Sequence, residues 1–186
     1  MKYKIASLIS KILIVYFKLR YSRRVIFGKN IILNYRFKFR GKGTLIVGDD
    51  TNLWAHKEPN EFQTYSTEAE IVIGKNSRIN GATIQCRTSI KIGGNCLIGS
   101  AIIMDHDFHS IYFSKRNDPS AIKSSAVVVG DKVWIAGQSA ILKGVTVGNE
   151  AVVGFRAVVT KNVPEKSVVA GNPAQVVKLL GFSGGN

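Results

Sequence analysis

From Val129 the chain repeats itself every six residues. In the run VGDKVW, IAGQSA, ILKGVT, VGNEAV, VGFRAV, VTKNVP an aliphatic residue opens each hexapeptide: Val129, Ile135, Ile141, Val147, Val153 and Val159. Four positions on stands a small or β-branched residue: Val133, Ser139, Val145, Ala151, Ala157 and Val163. Helical side chains recur at a period of about 3.6 and strand side chains at 2, so neither explains a period of six. It suits a solenoid whose coils carry three short strands, one hexapeptide each. The aliphatic points into a narrow prism, the small residue fills an inner corner, and Gly, Asn or Asp take the turns. Six consecutive hexapeptides in one register argue against chance spacing in a β-sandwich.

The pattern continues upstream more loosely. Ile92, Ile98 and Met104 open IGGNCL, IGSAII and MDHDFH, and Ile73 and Ile79 open IGKNSR and INGATI. Val47 with Leu53, and Phe27 with Leu33, extend it further. Two stretches break the period, 56–69 and 105–128, and read as loops pushed out of the coil. Loops on a rigid scaffold are where function concentrates. The expected organisation is a basic amphipathic helix over 1–24, a β-helix over 25–164 and a strand or short helix in the tail, 165–186.

Charge is placed unevenly. The chain of 186 residues carries a formal +14, yet no Asp or Glu precedes Asp49. Such an excess predicts an anionic partner. No helix-turn-helix, zinc-finger or RNP-like pattern accompanies it, so nucleic acid is not expected. Ile5, Leu8, Ile9, Ile12, Tyr16 and Leu19 recur at helical spacing, with Lys4, Ser7, Lys11 and Lys18 on another face. The apolar run Ile12–Phe17 is too short to span a bilayer, and no signal-peptide cleavage site is seen. Such a helix suits either an anionic membrane surface or the open end of the solenoid, and periodicity alone does not separate the two. Cys86 and Cys96 form no spaced framework, which suggests a reduced, cytoplasmic protein.

The histidine chemistry is concentrated in one place. Ile102–Ser110, IIMDHDFHS, holds Asp105, His106, Asp107 and His109, and the only other histidine is His56. Alternate residues of an extended strand point to opposite faces, which scatters four such groups as metal ligands, so no metal is expected. A histidine with a carboxylate to orient it suits general-base work instead.

The stretch Gly130–Lys178 resembles the C-terminal coils of the hexapeptide-repeat acyltransferases. Its VTKNVP and VVAGNPAQVV motifs resemble the galactoside, maltose and polysaccharide O-acetyltransferase branch. The resemblance implies a left-handed parallel β-helix, all-β apart from its terminal helices, assembled as a homotrimer with active sites between subunits. It implies transfer of acetyl from acetyl-CoA to a sugar hydroxyl of a polysaccharide precursor. Transfer to an amino sugar or a small antibiotic, or a non-enzymatic scaffold, are the alternatives. Starting at Ile92, the family's catalytic histidine falls on His109, with His106 as a second candidate and Asp107 or Asp105 as orienting acids. By the same resemblance Ala136, Gly137, Gly154 and Phe155 would line the pantetheine path. Thr160, Lys161 and Lys178 would lie near the nucleotide end of acetyl-CoA, and Asn80 near the acceptor. The chain departs from the family's WIG and GAGS in Trp134-Ile135-Ala136 and Gly154-Phe155-Arg156-Ala157, which places a large ring on the expected cofactor path.

Overall fold

The computed structural model describes residues 2–181, with side chains from residue 5. Three sheets run its length, two of six parallel strands and one of eight that is parallel except for its last strand. The chain visits them in turn, making six three-stranded coils stacked as a β-helix. Coil one is built from Val25–Phe27, Ile32–Leu33 and Phe37–Arg40, and coil six from Thr146–Val147, Val152–Val153 and Val158–Val159.

The hexapeptide register explains this architecture residue by residue. Ile135, Ile141, Val147 and Val153 are 0% exposed, and Val129 and Val159 nearly so. They form ladders with the matching residues of neighbouring coils, such as Ile98↔Ile135↔Val153. The residues four positions on are also buried. Among them Ser139 donates its hydroxyl hydrogen to the Ala136 carbonyl at 2.7 Å. The turns are less fastidious than the sequence suggests. Besides Asn76 and Asn95, the residues Lys132, Gln138, Glu150 and Arg156 all have φ near +58°. Amide bonds between coils hold them there, for example Lys132 to the Gly94 carbonyl and Glu150 to that of Asp131.

Three sequence expectations are corrected. Met104 does not face inward; Ile103 does, fully buried, because coil four is one residue shorter at its second corner. Much of 56–69 is not an extruded loop. Asn60–Thr64 is the third strand of coil two, paired with Phe37–Arg40 and Thr83–Cys86. The buried Asn60 amide fixes the re-entry: it donates to the Leu53 and Ile79 carbonyls and accepts from the Gly81 and Ala82 amides. The tail forms no helix among the described residues. Ala174–Leu179 turns back as an antiparallel strand on Ser167–Gly171. Its β-branched Val176 and Val177 suit that pairing. Residues 182–186 of the expected tail lie outside the described residues.

The first helix, α1 (Lys2–Tyr21), closes the other end. Phe17 packs edge-on against Phe27 and Phe37 at 6.1 and 5.2 Å. The Tyr21 hydroxyl donates to the Phe39 carbonyl. Ser10, buried in mid-helix, accepts the Leu33 amide at 2.9 Å. An end coil leaves a row of unpaired backbone groups, and α1 covers part of it. No described helix is long and apolar enough to cross a membrane.

Candidate functional site

The long loop leaves the solenoid after Ile102–Met104, the third strand of coil four, and returns at Val127. Its base is closed like a short antiparallel ladder. The Asp107 amide donates to the Lys123 carbonyl and the Ser125 amide to that of Asp105.

Asp105 anchors this exit. Its carboxylate is fully buried. It accepts the amides of Arg87, Thr88 and Ser89 at 2.7–2.8 Å, the Thr88 hydroxyl at 2.8 Å and His106 Nδ1 at 3.0 Å. Burial pushes the carboxyl pKa up, but the bonds from His106, Arg87 and Thr88 outweigh it and hold the group at about 2. His106 is buried too, between Tyr65 at 4.8 Å and Phe108 at 5.0 Å.

The other pair behaves differently. Asp107 meets neither histidine and instead pairs with Lys143 Nζ at 2.7 Å. His109 is exposed, with Nδ1 3.2 Å from the Arg116 carbonyl oxygen. A carbonyl only accepts, so in the neutral ring Nδ1 carries the hydrogen and Nε2 keeps its lone pair. The ring borders a recess of about 250 Å³ lined also by Met104, His106, Leu142 and Lys143. The four groups that look like one cluster in sequence thus divide. Asp105 and His106 form a buried pair, Asp107 an ion pair, and His109 stands open.

The residues expected to bind the cofactor fall in three places. Ala136–Gly137 and Gly154–Phe155 stack on each other at the second corner of coils five and six. A Cβ on Gly137 would touch the Phe155 ring at 3.8 Å. Arg156 lies over that ring at 5.2 Å and donates from Nε to Gln138 Oε1 at 2.7 Å. Thr160 and Lys161 follow the third strand of coil six. They stand at the corner from which the His109 loop leaves two coils away. Lys178 is on the tail strand opposite Val168. Asn80 turns a corner, and its Oδ1 accepts the His56 amide at 2.9 Å. Beside it a second recess, of about 510 Å³, is bordered by Glu58, Gly81, Ser100 and Gln138.

Known proteins resemble this chain in sequence and fold. No family model matches the chain. It is 40% identical over 98 residues to a protein of Escherichia coli K12 assigned as a lipopolysaccharide biosynthesis O-acetyltransferase, covering 48% of this chain and 50% of that relative. A second E. coli K12 protein, assigned as a colanic acid biosynthesis acetyltransferase, is 30% identical over 151 residues, covering 81% of this chain and 67% of the relative. Among solved structures, a hexapeptide-repeat acetyltransferase from Vibrio cholerae complexed with acetyl coenzyme A superposes with a TM-score of 0.58. It is 30% identical over 68% of this chain and 70% of that one.

The chain belongs to the hexapeptide-repeat acetyltransferase family.

It spans half the length of the first of these relatives. Within the family fold, sequence reasoning passed over three residues that shape the His109 recess. Lys143 neutralises Asp107 from the next coil. Tyr65 packs at a tilt against His106 from the corner after Asn60–Thr64. Thr88 supplies two of the bonds to Asp105. Only Lys143 had a signal: it stands two places after the inward Ile141, at the corner where the long loop departs.

Proposed function

We propose that the chain transfers acetyl from acetyl-CoA to a sugar hydroxyl on a cell-surface polysaccharide precursor, with His109 as general base. The observation that carries this is the His109 ring, held by the Arg116 carbonyl with Nε2 free beside an open recess. Bound acetyl-CoA supplies an acetyl group activated as a thioester. His109 Nε2 takes the acceptor's hydroxyl proton as the oxygen attacks the thioester carbonyl; the C–S bond then breaks and the protonated ring returns that proton to the coenzyme A thiolate, while the Nδ1 bond keeps the ring aimed. The buried Asp105–His106 pair supports the floor of the recess. Asp107, tied to Lys143, fixes the loop base.

The stacked corners fit a narrow cofactor arm at Gly137, where a Cβ would meet only the Phe155 ring at 3.8 Å and the Ser100 nitrogen at 3.9 Å, whereas Gly154 is packed against Val169 and Ala170. Lys161 and Lys178 are exposed cations of the kind phosphate groups attract. The corner of Gly137 and Gly154 and the corner that bears His109 and Lys161 are different corners of one chain, which supports a homotrimer whose sites form between copies. The reading places the protein in the cytoplasm, in peripheral contact with the inner face of the membrane where lipid-linked glycans are built.

The test is thiol release from acetyl-CoA with glycan acceptors from the source cell. His109→Ala should lower kcat/KM by about 10²–10⁴-fold. Activity within a few-fold of wild type would remove His109 as the base. Analytical ultracentrifugation checks the trimer.

A further inference from the structure

The helix that closes the solenoid presents apolar residues on two opposite faces. Ser10, Phe17 and Tyr21 turn inward and cap coil one. Leu8, Ile12, Val15 and Leu19 turn outward and are 61%, 63%, 55% and 82% exposed. At spacings of four, three and four these four form one continuous ridge. A helix that only capped the domain would be polar on its outer face, so capping does not explain the ridge.

The charges around the ridge name its partner. Lys11 and Lys18 flank one side and Arg20 the other, all exposed, and none of them meets a carboxylate among the described residues. The first 48 residues hold twelve of the 26 cations and none of the 12 acids, so the remaining 14 cations almost balance those acids. An apolar ridge between cations is the pattern of a helix lying in an anionic lipid interface, its apolar face sunk ~5–10 Å.

We infer that α1 docks the protein onto anionic bilayers by inserting this ridge, with the solenoid standing upright on the membrane. α1 contacts all three strands of coil one, through Phe27, Leu33 and Phe37. It therefore lies across the end of the prism, and its outer face looks along the solenoid axis. With coils ~4.8 Å apart and a helix packing distance of ~10 Å, the coil bearing His109 stands roughly 25 Å from the helix axis. This deepens the peripheral-membrane part of the proposed function and is independent of its chemistry.

The experiment is flotation of the full chain with vesicles of phosphatidylcholine containing 30% phosphatidylglycerol, compared with phosphatidylcholine alone. The Leu8→Gln/Ile12→Gln/Leu19→Gln variant changes only exposed side chains. It should partition at least tenfold less, at wild-type Tm and wild-type acetyl transfer to a soluble acceptor. Lys11→Gln/Lys18→Gln should weaken the preference for the anionic vesicles. In a Trp54→Phe background, brominated acyl chains should quench Leu19→Trp and leave Trp134 bright. The inference is overturned if the ridge variant floats like wild type, or if wild type ignores both vesicles. It is equally overturned if the ridge variant merely halves the assembly's mass, because the ridge then joins two copies. Loss of acetyl transfer in every form of the protein would sink the enzymatic reading and leave the vesicle result standing.

Discussion

Replacing Asp105 by asparagine changes one atom at the point where the long loop leaves the solenoid. The carboxylate accepts on both oxygens: Oδ1 from the Arg87 amide and His106, Oδ2 from the Thr88 and Ser89 amides and the Thr88 hydroxyl. An asparagine would turn its NH2 either against the Thr88 and Ser89 amides or against the Arg87 amide with His106 shifted to its other tautomer, and in each case leave at least one N–H unpaired in a fully buried site. At ~1–3 kcal/mol for each unsatisfied group, the variant should lose about 2–4 kcal/mol at pH 7. The pH dependence follows from the carboxyl pKa, about 2 against an ordinary 3.8. Because the folded value is the lower one, the associated stability of about 2 kcal/mol is complete well above pH 4. It is lost as pH falls from there through the folded value. Asparagine has nothing to titrate, so the gap between wild type and variant should narrow by about 1 kcal/mol at pH 3. Urea unfolding of both proteins at pH 7 and pH 3, at one fixed protein concentration, measures this. A gap under 1 kcal/mol at pH 7, or one that does not narrow at pH 3, would refute the reasoning.

Two further substitutions test the scaffold. Phe17→Ala removes the ring that joins α1 to Phe27 and Phe37 and should cost about 3–5 kcal/mol; a Tm within 2 °C of wild type would show that α1 does not close the solenoid. Gly74→Ala should cost about 1–3 kcal/mol, read as a lower urea midpoint. Its new Cβ would sit 2.5 Å from the Gly93 carbonyl carbon and the Gly94 nitrogen, both of them backbone. An unchanged midpoint would mean that the coils separate more easily than their stacking implies.

The fold was legible where the chain is most periodic. From Val129 to Val163 each side chain's burial follows from its place in the hexapeptide. Legibility fell where a corner gained or lost a residue. Between Ile98 and Ile103 the shortened corner moves the inward position off Met104, and no local propensity announces such a deletion. The strand Asn60–Thr64 was hidden for a related reason. Asn60 and Thr64 are polar, and they are buried because neighbouring segments satisfy them: Asn60 donates to the Leu53 and Ile79 carbonyls and accepts from the Gly81 amide, and the Thr64 hydroxyl oxygen accepts from the Gly43 amide. Of the strand or helix that the tail allowed, Ala174–Leu179 takes the strand, because its pairing with Ser167–Gly171 is a non-local fact.

The candidate site divides along the same line. By itself the sequence determined that a coil ends near Asp105, that two histidines and two acids gather there, and that cations crowd the first quarter of the chain. These are matters of spacing and composition, which survive without a third dimension. Which acid serves which histidine was decided by the tertiary structure alone. Asp105 is buried over the corner at 87–89 and binds His106, while Asp107 turns to Lys143 and His109 finds the Arg116 carbonyl. The two-faced use of α1 is of the same kind. The helical period marks which residues share a face, but only the presence of coil one on one side decides which apolar residues are covered and which remain open to a membrane.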